Sequence, residues 1–346
     1  MSCVPRFGRA DLRMVRLLLP MVTIAFAGCA RHPPALETSG TPLHYDTVVA
    51  ADGTGQFTSV QQAIMAAPHS ATPSKPWVIL VRPGVYRELV YVQRERGCIR
   101  LVGTAPEETV ITYDLHAKMT GLDGKKIGTF RTPTVVIDGD HFVAENLTIE
   151  NAAGPVAQAV ALRVDGDRVV LRNCRLLGWQ DTVFLNRGRA YFQECYIAGH
   201  VDFIFGGGTA FFEHCHIHCR ANGYITAAST PAEQPFGFVF SNCTITGEPG
   251  VRTYLGRPWR KYAAVTFLKT AMSEVIRPEG WHDWGKLECH ESARFAEWKS
   301  TGPGAQPESR VPWASQLTNL QARRYTPRRV LAGNDGWNPA GPGGTR

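Results

Sequence analysis

The sequence lacks several features that would assign it to common protein classes. It contains no Gly-x-Ser-x-Gly motif, which disfavours a serine esterase. It has no basic–aromatic motif of the kind that binds nucleic acid. Asn-Gly, the dipeptide that most often closes a two-residue β-hairpin, occurs only at Asn222-Gly223. An antiparallel sandwich built from tight hairpins is therefore disfavoured.

The N-terminal apolar run is too short to span a membrane as a mature helix. It covers residues 17–27 and follows Arg13 and Arg16. The segment closes with Ala27, Gly28 and Cys29. A basic region, a short apolar region and small residues before a cysteine are typical of a bacterial lipoprotein signal. We therefore predict a signal peptide over residues 1–28 and a lipid on Cys29. Ordinary secretion without a lipid is the alternative.

Composition favours a folded, turn-rich β protein with a weak positive charge. The 346 residues include 34 glycines and 23 prolines, and 44% of them are hydrophobic. Loss of residues 1–28 would remove four arginines and one aspartate, which lowers the net charge from +7 to +4. This excess suits an acidic ligand but is too small to indicate nucleic acid. We predict a Pro-rich tether over residues 29–44 and one domain over residues 45–340.

The clearest pattern is a repeat within residues 171–208. The separation of Cys174 and Cys195 in the sequence equals that of Asp181 and Asp202. Equal offsets indicate stacked structural units, and the short apolar runs before each cysteine are typical of strands. If each unit is one coil of a parallel β-helix, the two aspartates face each other across one strand spacing of ~4.8 Å.

Further segments extend the repeat in both directions. Successive segments place five residues in equivalent positions, with steps of unequal length between them: Leu147, Cys174, Cys195, Cys215 and Cys243. Irregular steps are typical of a β-helix whose coils carry loops on one face. We therefore predict an all-β fold, a parallel β-helix with a short N-terminal capping helix over residues 59–67 and a C-terminal cap from Ser292. Ser59 is the predicted N-cap of that helix.

The paired aspartates suggest chemistry as well as structure. Two negative charges at that spacing repel each other, so ionising both carboxyl groups is unfavourable. One pKa therefore rises while the other stays low. Such a difference suits a site that needs one acid and one nucleophile. The alternative is that Asp181 and Asp202 only stabilise turns, which is the commoner role of aspartate.

Five motifs identify a family. They are GVYRE at 84–88, QAVALR at 158–163, GWQDT at 178–182, VDFIFG at 201–206 and LGRPW at 255–259. Together they resemble the pectin methylesterase (pectinesterase) family, from about Thr47 to Trp337. One motif alone would be weak, but five in order on a visible repeat are specific. The resemblance implies a right-handed parallel β-helix that removes methyl esters from homogalacturonan and releases methanol, without a metal or other cofactor.

The resemblance also implies a role for each polar residue of the site. Asp202 matches the family's nucleophile, and Arg257 matches the arginine that pairs with it through a guanidinium fork. Asp181 matches the general acid that protonates departing methanol and then acts as base for water. Gln158 and Gln180 match amide donors for the oxyanion. Because Gln180 and Asp181 are neighbours, both can reach one cleft only if the strand bends between them.

Aromatic residues complete the predicted site. Trp259 and Trp281 match residues that line the sugar cleft, and Gln158 and Arg257 are expected to contact substrate as well. Either tryptophan of the pair Trp281 and Trp284 could instead belong to the core of the cap. For Trp284 we favour the core.

The sequence EHCHIHCR at residues 213–220 raises the question of a metal site. Strand alternation places its three histidines on one face and its two cysteines on the other, which is not a tetrahedral set, so we predict no metal. Cys195 and Cys215 lie one coil apart, and bacterial members of the resembled family have a disulfide at matching positions. We therefore predict a Cys195–Cys215 disulfide.

Three other functions remain as alternatives. Paired carboxylates on a β-helix could hydrolyse glycosidic bonds. The chain could be an esterase or thioesterase for a non-pectin acyl group, or a surface β-helix that only binds polysaccharide. We predict an exported, monomeric enzyme at the outer membrane, with a periplasmic or secreted protein as the alternative. Its partner would be methyl-esterified homogalacturonan, and only the lipid anchor would contact a membrane.

The first prediction concerns the signal sequence. Cys29→Ser should leave protein that is unlipidated or unprocessed, because the lipid attaches to the cysteine sulfur. Metabolic labelling with a fatty acid measures this directly. Equal labelling of wild type and Cys29→Ser would show that the lipoprotein interpretation is wrong.

Overall fold

A computed structural model describes residues 44–341 of the chain. The predicted signal peptide, the lipidation site Cys29 and nearly all of the predicted tether lie outside the described residues. Within residues 44–341, parallel strands make up most of the regular structure.

The strands are short, apart from two that are much longer. In chain order, the described part of the protein contains β1 Thr47–Val49, β2 Trp77–Val81, β3 Gly84–Arg87, β4 Val90–Val92, β5 Ile99–Gly103, β6 Thr109–Tyr113, β7 Val135–Ile137, β8 Val143–Glu145, β9 Thr148–Asn151, β10 Leu162–Val164, β11 Val169–Arg172, β12 Arg175–Leu177, β13 Val183–Leu185, β14 Arg189–Gln193, β15 Tyr196–Gly206, β16 Thr209–Glu213, β17 His216–Ala228, β18 Phe238–Ser241, β19 Thr244–Gly247, β20 Thr253–Pro258, β21 Ala264–Leu268, β22 Ala271–Met272, β23 Arg294–Trp298 and β24 Ser315–Gln316.

The helices are few and short. They are α1 Val60–Ala66, α2 Asn319–Ala322 and α3 Pro327–Val330, with 3₁₀ turns at Thr129–Arg131, Leu287–Cys289 and Pro307–Ser309.

The strands form three parallel faces around one core. The first face has the order β1-β2-β5-β8-β11-β14-β16-β18-β21-β23-β24. The second contains β3-β6-β9-β12 and the third contains β4-β7-β10-β13. The long strands β15 and β17 bend and take part in both of these faces. Beyond β17, the second face continues through β19 and β22, and the third continues through β20. The chain therefore winds as a β-helix.

The pairing registers confirm the predicted repeat. On the second face, five residues from successive coils pair with one another in series: Thr148, Arg175, Tyr196, His216 and Thr244. Each of them directly follows one of the five equivalent positions that the sequence pattern defined. The unequal steps of that pattern are therefore the lengths of successive coils.

Stacked aromatic rings fill the interior between successive coils. Ring centroids are 4.6 Å apart for Phe192 and Phe212, 4.4 Å for Phe212 and Phe240, and 4.4 Å for Phe240 and Phe267. All four rings are fully buried. Each such pair contributes ~0.5–1.5 kcal/mol beyond the burial of its area. The ladder therefore holds the coils in register where the site is formed.

In the seven coils from β8 onward, a left-handed residue follows the strand of the first face and turns the chain toward the second. These residues have φ between 47° and 56°: Asn146, Asn173, Glu194, His214, Asn242, Lys269 and Lys299. Asparagine tolerates this conformation better than most residues, and Asn173 Nδ2 donates to Asn146 Oδ1 at 2.8 Å. The next residue in each coil points into the core, which explains the regular cysteine positions.

The predicted Cys195–Cys215 disulfide is wrong for this structure. All seven cysteines in residues 44–341 are free thiols. The Cys195 thiol donates to the carbonyl oxygens of Leu171 at 3.5 Å and of Gln193 at 3.4 Å. Cys195 also stacks between two equivalent cysteines, Cys174 and Cys215, rather than against one partner. The equivalent positions of Cys195 and Cys215 in successive coils therefore predicted that the two side chains are neighbours, but they could not predict a covalent bond between them.

The predicted capping helix is confirmed. Ser59 caps α1, and its hydroxyl oxygen accepts from the Gln62 amide at 3.2 Å. The Glu88 carboxylate accepts from the Ser59 hydroxyl at 2.6 Å and from the Val60 amide at 2.8 Å. A carboxylate at a helix N-terminus is favourable, so Glu88 has a structural role.

The C-terminal cap begins later than predicted. Arg294–Trp298 is still a strand of the first face, so the coil continues past Ser292. The last described residues then pack along the outside of that face, where Val330 and Leu331 lie in an apolar cluster with Tyr191. No helix in the described part of the chain is long and apolar enough to cross a bilayer.

Candidate active site

The two predicted aspartates occupy equivalent positions in neighbouring coils. Val183 pairs with Ile204, and these two residues have the same separation in the sequence as Asp181 and Asp202. Both aspartate side chains line one cleft on the third face of the β-helix. The repeat therefore brings together the two carboxyl groups that the sequence pattern linked.

A left-handed backbone supplies the bend that the site requires. Asp181 has φ 65°, and Gln180 before it pairs with Gln158 in an isolated parallel bridge. All three side chains line the cleft. Non-glycine residues in this conformation are uncommon and concentrate at functional sites. The change of φ at Asp181 explains how two adjacent residues reach the same cleft.

A bulge positions the second aspartate. Val201 pairs with Tyr224, whereas Ile204 pairs with Thr226, so β15 has one residue more than β17 across this interval. Asp202 lies within the interval and has φ 51°. Because a bulge bends its strand and re-aims a side chain, this irregularity turns the Asp202 carboxyl group toward the cleft.

Arg257 holds Asp202 through a guanidinium fork. Its Nε donates to Asp202 Oδ1 at 2.8 Å and its Nη2 donates to Oδ2 at 2.7 Å. The guanidinium carbon lies 3.8 Å from the Tyr224 ring centroid and 3.6 Å from that of Trp284. A bidentate pair between two aromatic faces is strongly oriented. Arg257 thus fixes the orientation of the Asp202 carboxylate.

Burial separates the acidities of the two carboxyl groups. Burial, followed by the negative charge of Asp202, raises the pKa of Asp181 well above its ordinary value, and Arg257 opposes this only in part. Burial also raises the pKa of Asp202, against the hydrogen bonds and charge of Arg257. The expectation that one pKa stays low is therefore wrong. The order is as predicted, since the Asp181 pKa is raised further and Asp202 loses its proton first.

The two glutamines present unused amide groups. Neither the Gln158 nor the Gln180 side chain makes a hydrogen bond to another residue within 44–341, although both line the cleft. The same holds for the Asp181 carboxyl group. These groups are therefore available to a ligand.

An aromatic wall borders the carboxyl pair. Four aromatic rings line the cleft: Phe130, Phe205, Trp259 and Trp284. Phe184 packs against two of them, with its ring centroid 4.6 Å from that of Phe205 and 5.2 Å from that of Phe130. Sequence reasoning missed Phe130 and Phe205 as cleft residues. Phe205 stands in the VDFIFG motif, which was a usable signal. Phe130 had none, because its loop reaches the cleft only through folding.

The assignment of Trp281 to the sugar cleft is wrong. Trp281 is 1% exposed and stacks in the coil interior on Phe295, with ring centroids 4.4 Å apart. The chain turns at Trp284, where φ is 59°, and this ring lines the cleft instead. The preference for Trp284 as a core residue is therefore also wrong. Trp259 does line the cleft.

The histidine-rich segment lies away from the cleft. His216 and His218 both hydrogen bond to the Thr246 hydroxyl, at 2.6 and 2.9 Å, on the second face. Cys215 and Cys219 are buried inside the coil. Across residues 44–341, no group of three or more His, Cys, Asp or Glu side chains is placed to hold a metal ion.

The fold and the cleft indicate the class of enzyme to which this protein belongs. A parallel β-helix with a groove of aromatic rings, free amides and two carboxyl groups of different acidity has the features of a carbohydrate-active hydrolase. The chain belongs to the pectinesterase family, whose family model, described as Pectinesterase, matches residues 46–334.

Individual relatives agree with this membership. The chain is 44% identical over 284 residues to Pectinesterase 31 of Arabidopsis thaliana, an alignment that covers 80% of this chain and 89% of that protein. It is 37% identical over 305 residues to the probable pectinesterase/pectinesterase inhibitor 58 of the same plant, of which it spans 52%.

Solved structures share the fold. A pectin methylesterase from carrot superimposes with a TM-score of 0.79 at 33% identity, covering 85% of this chain and 95% of that one. PemA, a pectin methylesterase from Erwinia chrysanthemi, gives a TM-score of 0.75 at 32% identity, covering 86% and 99%. These likenesses confirm the predicted right-handed parallel β-helix.

The placement of the two tryptophans leads to a stability prediction. Trp281→Ala should lower the free energy of unfolding by ~3–5 kcal/mol, because it leaves a cavity beside Phe295. Trp284→Ala should cost less than ~2 kcal/mol, since its ring lines an open cleft. Urea unfolding followed by circular dichroism compares the two variants. Equal destabilisation would contradict the separation of core and cleft roles.

Proposed function

We propose that this protein is a pectin methylesterase that hydrolyses methyl esters of homogalacturonan, with Asp202 as nucleophile and Asp181 as general acid and base. Membership of the pectinesterase family supports the reaction. The observation that carries the residue roles is the carboxyl pair itself. Asp202 is held by both arms of Arg257, while Asp181 beside it has a pKa raised well above its ordinary value.

The first half-reaction uses this difference. The ionised Asp202 carboxylate attacks the ester carbonyl carbon and forms a tetrahedral intermediate. Collapse of the intermediate breaks the bond to the methoxy oxygen, and Asp181 donates its proton to that oxygen. Methanol leaves, and the galacturonyl group remains on Asp202 as an acid anhydride.

The second half-reaction restores both carboxyl groups. Asp181, now ionised, takes a proton from water as the water attacks the anhydride carbonyl carbon. Cleavage of the bond to the Asp202 oxygen releases the galacturonic acid and regenerates the Asp202 carboxylate. Arg257 is already paired with this carboxylate, so it stabilises the charge that returns.

The oxyanion of each intermediate needs hydrogen-bond donors. Gln158 and Gln180 have unused amides on neighbouring coils of the same cleft. A single donor of this kind contributes ~2.7–4 kcal/mol to transition-state stabilisation in other acyl-transfer enzymes. We assign that role to one or both amides.

The cleft also suits a sugar chain. A pectin methylesterase of 32% identity has been solved in complex with a hexasaccharide, with a TM-score of 0.73 and coverage of 86% of this chain and 99% of that one. In the present protein Phe130, Trp259 and Trp284 offer ring faces beside the carboxyl pair. Such rings stack on the apolar faces of sugars, so we assign them to substrate binding.

A polymeric substrate requires an enzyme that leaves the cytoplasm. The basic and apolar segment before Cys29 supports export, and we propose that the mature protein is a monomer held at the outer membrane by a lipid on Cys29. A periplasmic or freely secreted enzyme would need the same export signal and no lipid.

The proposed nucleophile can be tested with a nearly isosteric variant. Asp202→Asn should lower methanol release from methyl-esterified homogalacturonan by at least about a thousandfold, because the amide cannot form the anhydride. Circular dichroism controls for folding. Near-normal methanol release by the folded variant would sink this mechanism. New reducing ends without methanol would indicate glycoside hydrolysis instead, and no product would indicate a binding protein.

The raised pKa values predict a bell-shaped dependence on pH. Acidification protonates Asp202 and stops attack, while alkaline pH ionises Asp181 and removes the proton donor. Both limbs should lie above the ordinary aspartate range, because burial raises both pKa values. Asp181→Asn should leave a slow residual rate that keeps the acid limb and loses the alkaline one. Initial rates of methanol release against pH measure this, and an unchanged alkaline limb in Asp181→Asn would assign that limb to another group.

A further inference from the structure

The guanidinium group of Arg257 lies between two aromatic rings that are held in different ways. Tyr224 belongs to β17, where it pairs with Tyr254 of β20, and the two rings stack with centroids 5.4 Å apart. Trp284 instead lies on the connection between β22 and β23, outside any strand, with a left-handed φ of 59°. Strand pairing therefore fixes one ring, whereas the other needs contacts of a different kind.

Lys286 provides such a contact. Its Nζ lies 4.6 Å from the centroid of the Trp284 ring, and it donates to the carbonyl oxygens of Pro258 at 3.1 Å and Trp259 at 2.9 Å. These two residues directly follow Arg257 in the sequence. A cation over an indole ring is favourable, and more so where water is partly excluded. Lys286 thus joins the loop of Trp284 to the end of the strand that carries Arg257.

The loop keeps its shape through contacts that do not involve the Lys286 side chain. The Asp283 carboxylate accepts from the Gly285 amide at 2.8 Å, and its second oxygen lies 3.1 Å from Nε2 of His290. The main-chain amide of Lys286 donates to the Asp283 carbonyl oxygen at 3.0 Å. The loop therefore closes without the ammonium group, whose contacts act on the position of the indole ring instead.

The charge of Lys286 is not neutralised by a carboxylate. The ammonium group forms no ion pair within the described part of the chain, and the residue is half-buried and does not line the cleft. Burial raises the pKa of Asp202, and Arg257 opposes this through its hydrogen bonds and charge. The charges of His200 and Lys286 also oppose it. The acidic neighbour of Asp202 is Asp181. Lys286 therefore favours the ionised form of Asp202.

We propose that Lys286 is a positioning residue, which holds Trp284 against the guanidinium group of Arg257 and so keeps the fork directed at Asp202. This inference rests on the proposed function. The centroid of the indole ring lies 3.6 Å from the guanidinium carbon, so movement of the ring removes one of the two aromatic faces of Arg257. The fork is then free to turn, and the proposed nucleophile loses its fixed orientation. Because Lys286 does not line the cleft, it acts on the fork through Trp284.

The experiment uses two variants of Lys286 and a matched control. Lys286→Met keeps most of the length of the side chain but removes its charge and its donors, whereas Lys286→Arg keeps the charge. The control is Lys299→Met, because Lys299 also places its Nζ over an indole ring, 5.0 Å from the centroid of Trp298, but lies outside the cleft lining. Methanol release from methyl-esterified homogalacturonan gives kcat/KM for each protein, and circular dichroism checks that each is folded.

Lys286→Met should lower kcat/KM about tenfold, because a neutral group replaces the cation that holds a partly buried indole ring. It should also move the acid limb of the pH profile to higher pH, since the lost charge favoured ionised Asp202. Lys286→Arg should stay within about threefold of wild type and keep the acid limb in place. Lys299→Met should change neither quantity.

A double-mutant cycle with Trp284→Ala tests the route of the effect. Where the indole ring is absent, adding Lys286→Met should lower kcat/KM by less than about threefold, because no ring is left to hold. Fully additive losses in the double variant, or a wild-type kcat/KM in Lys286→Met, would overturn the proposal. An equal loss in Lys299→Met, or in Lys286→Arg, would overturn it as well. Absence of methanol release from wild type would instead overturn the proposed function.

Discussion

In-register stacking of parallel coils is the constraint on which the rest of the structure depends. Main-chain pairing keeps each coil aligned with the next, and the stacked rings from Phe192 to Phe267 fill the space between them. Stacking places equivalent side chains one strand spacing apart, whatever their charge. At Asp181 and Asp202 stacking brings two carboxyl groups together. Their electrostatic repulsion is unfavourable, and the stabilising contacts of the fold outweigh it.

The active site arises where that regularity is broken. Left-handed backbone at Asp181 and a one-residue bulge at Asp202 turn both carboxyl groups toward the third face. Arg257, from a third coil, then pairs with only one of them. A symmetric pair thereby becomes unequal, because Arg257 orients one carboxyl group, while burial and the charge of Asp202 raise the pKa of the other, Asp181, well above its ordinary value. The proposed division into nucleophile and acid follows from this asymmetry rather than from any difference between the residues themselves.

The cleft combines the carboxyl pair with contacts for a sugar chain. Phe130, Trp259 and Trp284 line the cleft beside Asp181 and Asp202. The loop that carries Phe130 is attached to the catalytic coil by a main-chain hydrogen bond from the Ala117 amide to the Gln158 carbonyl oxygen. The proposed binding of substrate and the proposed catalysis therefore depend on the same coils.

The repeat, the parallel β-helix, the capping helix and the meeting of Asp181 with Asp202 were all predictable from the sequence, because stacking converts equal sequence offsets into spatial neighbours. The directions of side chains at points where the backbone leaves the regular strand were not predictable, because they depend on contacts between distant coils. Trp281 and Trp284 are close neighbours in the sequence, yet a left-handed turn separates core from cleft. Phe130 reaches the site through a long loop, whose path depends on hydrogen bonds to a distant coil rather than on any local pattern.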